Sequence, residues 1–299
     1  QRLGYARRPG MAEVERFMKH YFLVAKDVGD LTGILCARLE AQHMLPTTGI
    51  SRIVRSLTLK STQQLPGDFQ MEHGRITLSH DDAFQRDPTN FIRIFELCDA
   101  HNARPHPDVL SAMRSSIRLI DKSVRGDPQA NEIFLKLLTE ADDPETILRM
   151  MNETGVLGAF VPDFGRVVAM MQFNMYHHYT VDEHLIRSVG ILADIEHVRR
   201  EKAHPLATQL IGTIRNRRAL YVAVFLHDIA KGRPRDHSIE GARIARRLCP
   251  RFGLTAAETE LVAWLIEEHL TMSITAQQRD LSDPKTIDLF AQKVQSFER

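Results

Sequence analysis

A chain of 299 residues with 43% apolar and 26% charged side chains has room for one large or two modest globular domains and an ordinary interior. Its 39 basic and 38 acidic residues nearly cancel, which leaves no electrostatic basis for partnership with nucleic acid or an anionic membrane. No apolar run approaches the ~20 residues of a membrane span, no signal core opens the chain, and Cys36, Cys98 and Cys249 fit neither a disulfide framework nor a zinc knot, so a cytoplasmic protein is expected.

Residues 11–45 carry Val14, Phe17, Met18, Tyr21, Ala25, Val28, Leu35 and Leu39 at helical spacing, with a break expected at Asp30-Leu31-Thr32-Gly33. Pro46, Gly49, Pro66 and Gly67 then punctuate the chain. Asp68–Glu72 and Arg75–Ser79 alternate on either side of His73-Gly74, which predicts one small β-hairpin as the only sheet. From Asp87-Pro88 the pattern is helical again. Pro88 suits a first helical position, and Phe91, Ile92, Phe95 and Leu97 follow it. Further helices are expected at about 107–120 and 128–139, and from Asp143-Pro144-Glu145. Gly155, Gly158, Pro162 and Gly165 interrupt the chain before Val167-Val168-Ala169-Met170-Met171, a run that reads as core packing. The fold class expected is mainly α. Its division would be a helical region (1–60), a hairpin insert (61–90), a helical connector (91–170) and an all-α catalytic domain (171–299).

The chemistry concentrates in that last part. Leu220 to Gly232 is an almost continuous apolar run closing on His227-Asp228, with Lys231 and then Gly232 and Pro234 as the stop. Burying a histidine beside an aspartate costs several kcal/mol unless both find partners, and a divalent cation would satisfy the pair at once. Chance alone supplies about one such dipeptide at this composition, and His80-Asp81, in a polar turn, is the expected accident. Upstream, Thr180 and Glu183 form a T-x-x-E capping box for a helix that would turn His184 inward with Val181, Leu185, Ser188 and Leu192. Downstream, Asp236-His237 precedes a helix ending at Cys249-Pro250, and Thr255 and Glu258 cap another that runs to His269. Arg215, Arg217 and Arg218 read as a solvated helix face.

The pattern His184 … His227-Asp228 resembles the HD superfamily of metal-dependent phosphohydrolases. Longer stretches, among them "MMNETGVLGAFVPDFGRVVAMMQFNMYHHYTVDEHLIR" and "LYVAVFLHDIAKGRPRDHS", are similar to the bifunctional uridylyltransferase/uridylyl-removing enzymes of nitrogen regulation. The resemblance implies hydrolysis of a uridylyl group from a tyrosine of the signal protein PII, with the modified form as substrate. It implies a divalent metal held by His184, His227 and Asp228, Mn or Mg foremost, Fe or Zn as alternatives. Lys231 would neutralise phosphate charge, and His237 and His269 would complete a second metal site or move protons. A Gly-Ser with spaced carboxylates for uridylyl transfer has no counterpart here. The chain reads as a fragment, and a glutamine effector is expected only with regulatory domains it lacks. Such enzymes close the metal shell with a later aspartate after an alanine. None of Asp236, Asp280, Asp283 and Asp288 follows one, so that ligand is expected beyond Arg299, with Asp280 the best alternative. Pro234-Arg235 stands where the family has small glycines. Two other readings stay open: an inert helical interaction module, and an HD hydrolase acting on a small nucleotide.

Overall fold

Aspartate and proline set where many of the helices begin. In the computed structural model, which describes residues 3–43, 63–171 and 179–296, Asp127 Oδ1 accepts the Ala130 N–H at 2.8 Å. Asp143 Oδ1 accepts that of Thr146 at 3.0 Å, and a proline follows each cap as the first helical residue. The helices Pro128–Thr139 and Pro144–Glu153 therefore start where the sequence places them. Pro107–Ser116 is shorter than expected, its last turn tightening into a 3-10 turn at Ile117–Leu119. Pro88 is a correction. The helix starts at Asn90, because Asp87 accepts the Thr89 N–H at 2.9 Å and holds the proline in the turn before it.

The expected break at Asp30–Gly33 does not occur either: one helix runs from Glu13 to His43. Gly29 and Gly33 are tolerated because isolated glycines cost only about 1 kcal/mol each in a helix. Much of its apolar stripe remains exposed, with Tyr21, Val28 and Leu35 each more than half accessible.

The hairpin is present as Phe69–Glu72 against Arg75–Leu78, and His73 (φ 51°) and Gly74 (φ 74°) supply the two left-handed residues of a tight turn. The sheet is larger than one hairpin, however. Gln63–Leu65 adds an antiparallel strand, and Arg104–Pro105 pairs in parallel with the third. At three and two residues, these strands are too short to show alternation. Strands still hold under a tenth of the described residues. The punctuated stretch 46–60 lies outside those residues. The helix Pro284–Val294 ends where Gln295 takes a positive φ of 61°. Among the described residues no helix is long and apolar enough to cross a membrane.

The core is continuous from Leu65 to Ile266. Phe134 joins its two ends, with its ring centroid 5.4 Å from Phe160, 5.8 Å from Phe225 and 5.2 Å from Phe252. Phe164 stacks on Phe225 at 5.4 Å. The connector helices and the elements carrying His227 and His269 thus share one interior. Phe134→Ala should lower stability by about 3–5 kcal/mol. In urea it should shift a single transition, seen alike by far-ultraviolet circular dichroism and by Trp264 fluorescence. Two separated transitions would contradict a shared core.

Candidate metal centre

Four helix ends bring the polar residues together. The helix Val181–Glu196 carries His184 on its first turn. The helix Arg217–Leu226, buried through Tyr221, Val222, Phe225 and Leu226, stops at His227, so the dyad falls just past its end. Gly232 then reverses the chain at φ 77°. A Cβ there would lie 2.6 Å from Met170 Cε, so both backbone and space demand glycine. Asp236 accepts the Ser238 and Ile239 N–H groups at 2.9 and 3.1 Å and starts the helix His237–Leu248, with His237 as its first residue. The predicted capping box of Thr255 and Glu258 is formed, and the helix Ala256–Glu267 ends two residues before His269.

All four imidazoles converge on Asp228. His184 and His227 face each other with Nε2 atoms 3.0 Å apart, and Asp228 Oδ2 lies 3.5 and 3.4 Å from them. Its other oxygen, Oδ1, lies 3.7 Å from His237 Nε2 and 3.8 Å from His269 Nε2. Lys231 Nζ donates to Oδ2 at 2.7 Å. The result is two ligand groups, His184–His227–Asp228 and Asp228–His237–His269, that share one carboxylate. Within each the donor atoms lie no more than 4.8 Å apart. His227 and His269 direct Nδ1 at the carbonyls of Val224 and Ile266, at 2.8 Å each. A hydrogen bond donated there assigns the tautomer that leaves Nε2 a lone pair toward the centre.

The electrostatics suit a cation. The Asp228 side chain is 4% exposed, and its buried Oδ1 has no hydrogen-bond partner, a costly state for a carboxylate oxygen. Burial alone would push its pKa up, but the adjacent His227 ring and the Lys231 ammonium hold the carboxyl well below the usual range. Burial lowers the His269 pKa and so favours the neutral ring, the form that ligates metals. An unpartnered carboxylate oxygen, a buried His269 ring kept neutral, and the His227 and His269 rings held through Nδ1 fit a divalent cation.

Residues 69–160 match the family model described as the uridylyltransferase GlnD third domain, and residues 181–297 match the HD domain. The chain is 57% identical over 302 aligned residues to a bifunctional uridylyltransferase/uridylyl-removing enzyme of Nitrobacter winogradskyi, an alignment covering 100% of this chain. Along its whole length the chain is similar to one part of that enzyme. It spans about a third of the relative's length (32%). HD domains bind divalent metals, and both ligand groups found here lie within the HD match.

Within this HD domain the structure gathers His184, His227, Asp228, Lys231, His237 and His269 into one cluster. It does not bring in Asp280, which is exposed and accepts the Ser282 N–H at 2.9 Å in a surface turn. His177 and His178 lie outside the described residues. The capping box expected at Thr180 is not made: the helix starts at Val181, but Glu183 turns to Arg149. The anchor there is Asp182, which is buried and accepts from Asn152 Nδ2 at 3.0 Å and from the Ala169 N–H at 3.1 Å. An acid in a helix's first turn was its only sequence signal. Arg217 and Arg218 have acidic partners rather than water alone, pairing with Glu196 at 2.7 Å and Glu258 at 2.8 Å. Pro234 and Arg235 point to solvent and leave the Lys231 contact intact.

Lys231 and Asp228 form a buried ion pair, so removing one partner strands the other. In the presence of a chelator, Lys231→Met should cost about 3–5 kcal/mol in denaturant melts. Added divalent cation should recover part of that loss. An unchanged midpoint without metal would show that the ammonium is not what holds the carboxylate.

Proposed function

We propose that this chain is a metal-dependent phosphodiesterase that removes UMP from the uridylylated tyrosine of PII, in the cytoplasm. The observation that carries the reading is Asp228, shared between two histidine pairs and held by Lys231. Support for the substrate comes from the relative, whose name includes a uridylyl-removing activity. His184, His227 and Asp228 would hold the cation, Mn or Mg. When bound, it supplies Lewis acidity, acidifying a water and polarising a phosphoryl oxygen.

The chain's own groups supply the rest. The Lys231 ammonium is placed to offset phosphate charge as it grows. His237 and His269 hold a second cation or, with one bound, His237 gives a proton from Nε2 to the departing tyrosyl oxygen. In the net reaction a P–O bond to water forms and the P–O bond to tyrosine breaks. The proton lost by water equals the one gained by the phenolate, and the products are UMP and unmodified tyrosine. Uridylyl transfer is not assigned to these residues.

The test is direct. Purified chain loaded with Mn should release UMP from uridylylated PII. Asp228→Asn should lower both cation affinity and release by more than the about 10–100-fold typical of outer-shell changes. Binding of modified PII without release would favour the inert module, and release only from free nucleotides would favour a small-molecule hydrolase. With UTP and a divalent cation the chain should leave unmodified PII unlabelled.

A further inference from the structure

A groove of about 450 Å³ opens beside the metal centre, between the helices 181–196, 217–226 and 256–267. Ile191, Leu192, Leu220, Ala223, Val224 and Leu265 make its floor and sides, and His227 and His269 form the end that meets the cluster. The groove therefore runs into the two imidazoles on either side of Asp228, one from each ligand group.

The polar atoms on this lining are already engaged. The Ser188 hydroxyl donates to the His184 carbonyl at 2.8 Å. His227 and His269 direct Nδ1 to backbone carbonyls, and their Nε2 atoms face Asp228. Along the groove no side chain has a donor to spare, and only the Ser188 hydroxyl oxygen keeps acceptor capacity. A uracil ring placed there would bury two carbonyls without donors, at a cost of about 1–3 kcal/mol each. A phenyl ring carries no such groups, and its one oxygen is the atom bonded to phosphorus at the cluster end. Aromatic rings are also the side chains that gain most from a flat apolar slot.

We infer that this groove is the subsite for the aromatic ring of an aryl phosphodiester, the leaving-group side of the substrate, with the nucleoside outside it. The inference rests on the phosphodiesterase reading and sharpens it: the site selects an aryl ester, and its selectivity lies in Ala223, Val224 and Ile191 rather than in contacts to the base.

Calorimetric titration of the Mn-loaded chain with phenylphosphonate and with methylphosphonate tests it without any turnover. Phenylphosphonate should bind at least tenfold more tightly. Ala223→Leu and Ile191→Trp each fill the groove from a different helix, and in either variant that still shows native circular dichroism the ratio should fall below about threefold. Equal affinities in the unmodified chain would overturn the inference, as would a preference that survives both substitutions. So would variants that lose affinity for UMP but keep it for phenylphosphonate, because that marks the groove as a base site. UMP release from modified PII is scored separately. Release without a phenyl preference sinks the groove alone, whereas a phenyl preference without release sinks the reaction and leaves the aryl subsite standing.

Discussion

The Asp228 carboxylate is out of water, with one oxygen on an ammonium and the other facing two imidazoles, and the helix ends around it are arranged to make that state tolerable. An isolated buried carboxylate would protonate or pull water in. Here Lys231, three residues on, reaches Oδ2 because the chain has left the helix and is turning toward Gly232. The ammonium compensates only one oxygen. Oδ1 keeps its lone pairs for whatever comes between it and His237 and His269. One negative charge is thus shared by two ligand groups with a positive charge already beside it. A cation held by either group would be only partly neutralised by the protein.

Holding this arrangement is the task of ordinary core packing. The dyad follows a helix whose Phe225 stacks on Phe164 and touches Phe134, so the position of Asp228 is set by aromatic contacts with residues some sixty to ninety positions upstream. Met170 fills the space that a side chain at Gly232 would need, which ties the loop bearing Lys231 to the segment ahead of His184. At the other end of that segment Asp182 holds the Ala169 amide and Asn152. The match to the third-domain family model ends at residue 160 and the HD match begins at 181, yet the Asn152–Asp182 hydrogen bond and the Phe134–Phe225 contact join the two.

Much of this was legible in sequence, for identifiable reasons. The mainly helical class followed from apolar periodicity. The starts at Pro128, Pro144 and Ala256 followed from Asp-Pro and Thr-x-x-Glu signals that act locally, while the same signals misled at Pro88 and Thr180. The dyad stood out because an apolar run leaves no other place to bury it. Three things could not be read. Strands of two or three residues have no period. The choice of Glu183 between its own helix cap and Arg149 depends on a helix thirty residues away. That His237 and His269 meet the same carboxylate as His184 and His227 is a property of Oδ1 and Oδ2 pointing to opposite sides, which spacing does not encode. The stripe on the helix Glu13–His43 shows the converse failure: its period predicted the helix, but not that Tyr21, Val28 and Leu35 would face water.

A single interior also governs access. Enzymes that close two domains over a substrate need a seam along which the halves can part, and close-packed rings such as Phe134 among Phe160, Phe225 and Phe252 leave none here. The cluster cannot be exposed by hinging one half of the chain away from the other. On the proposed reading, a folded-protein substrate must instead project its modified residue far enough from its own surface to reach in. The geometry of that projection, more than any motion of this chain, then decides which proteins can be served.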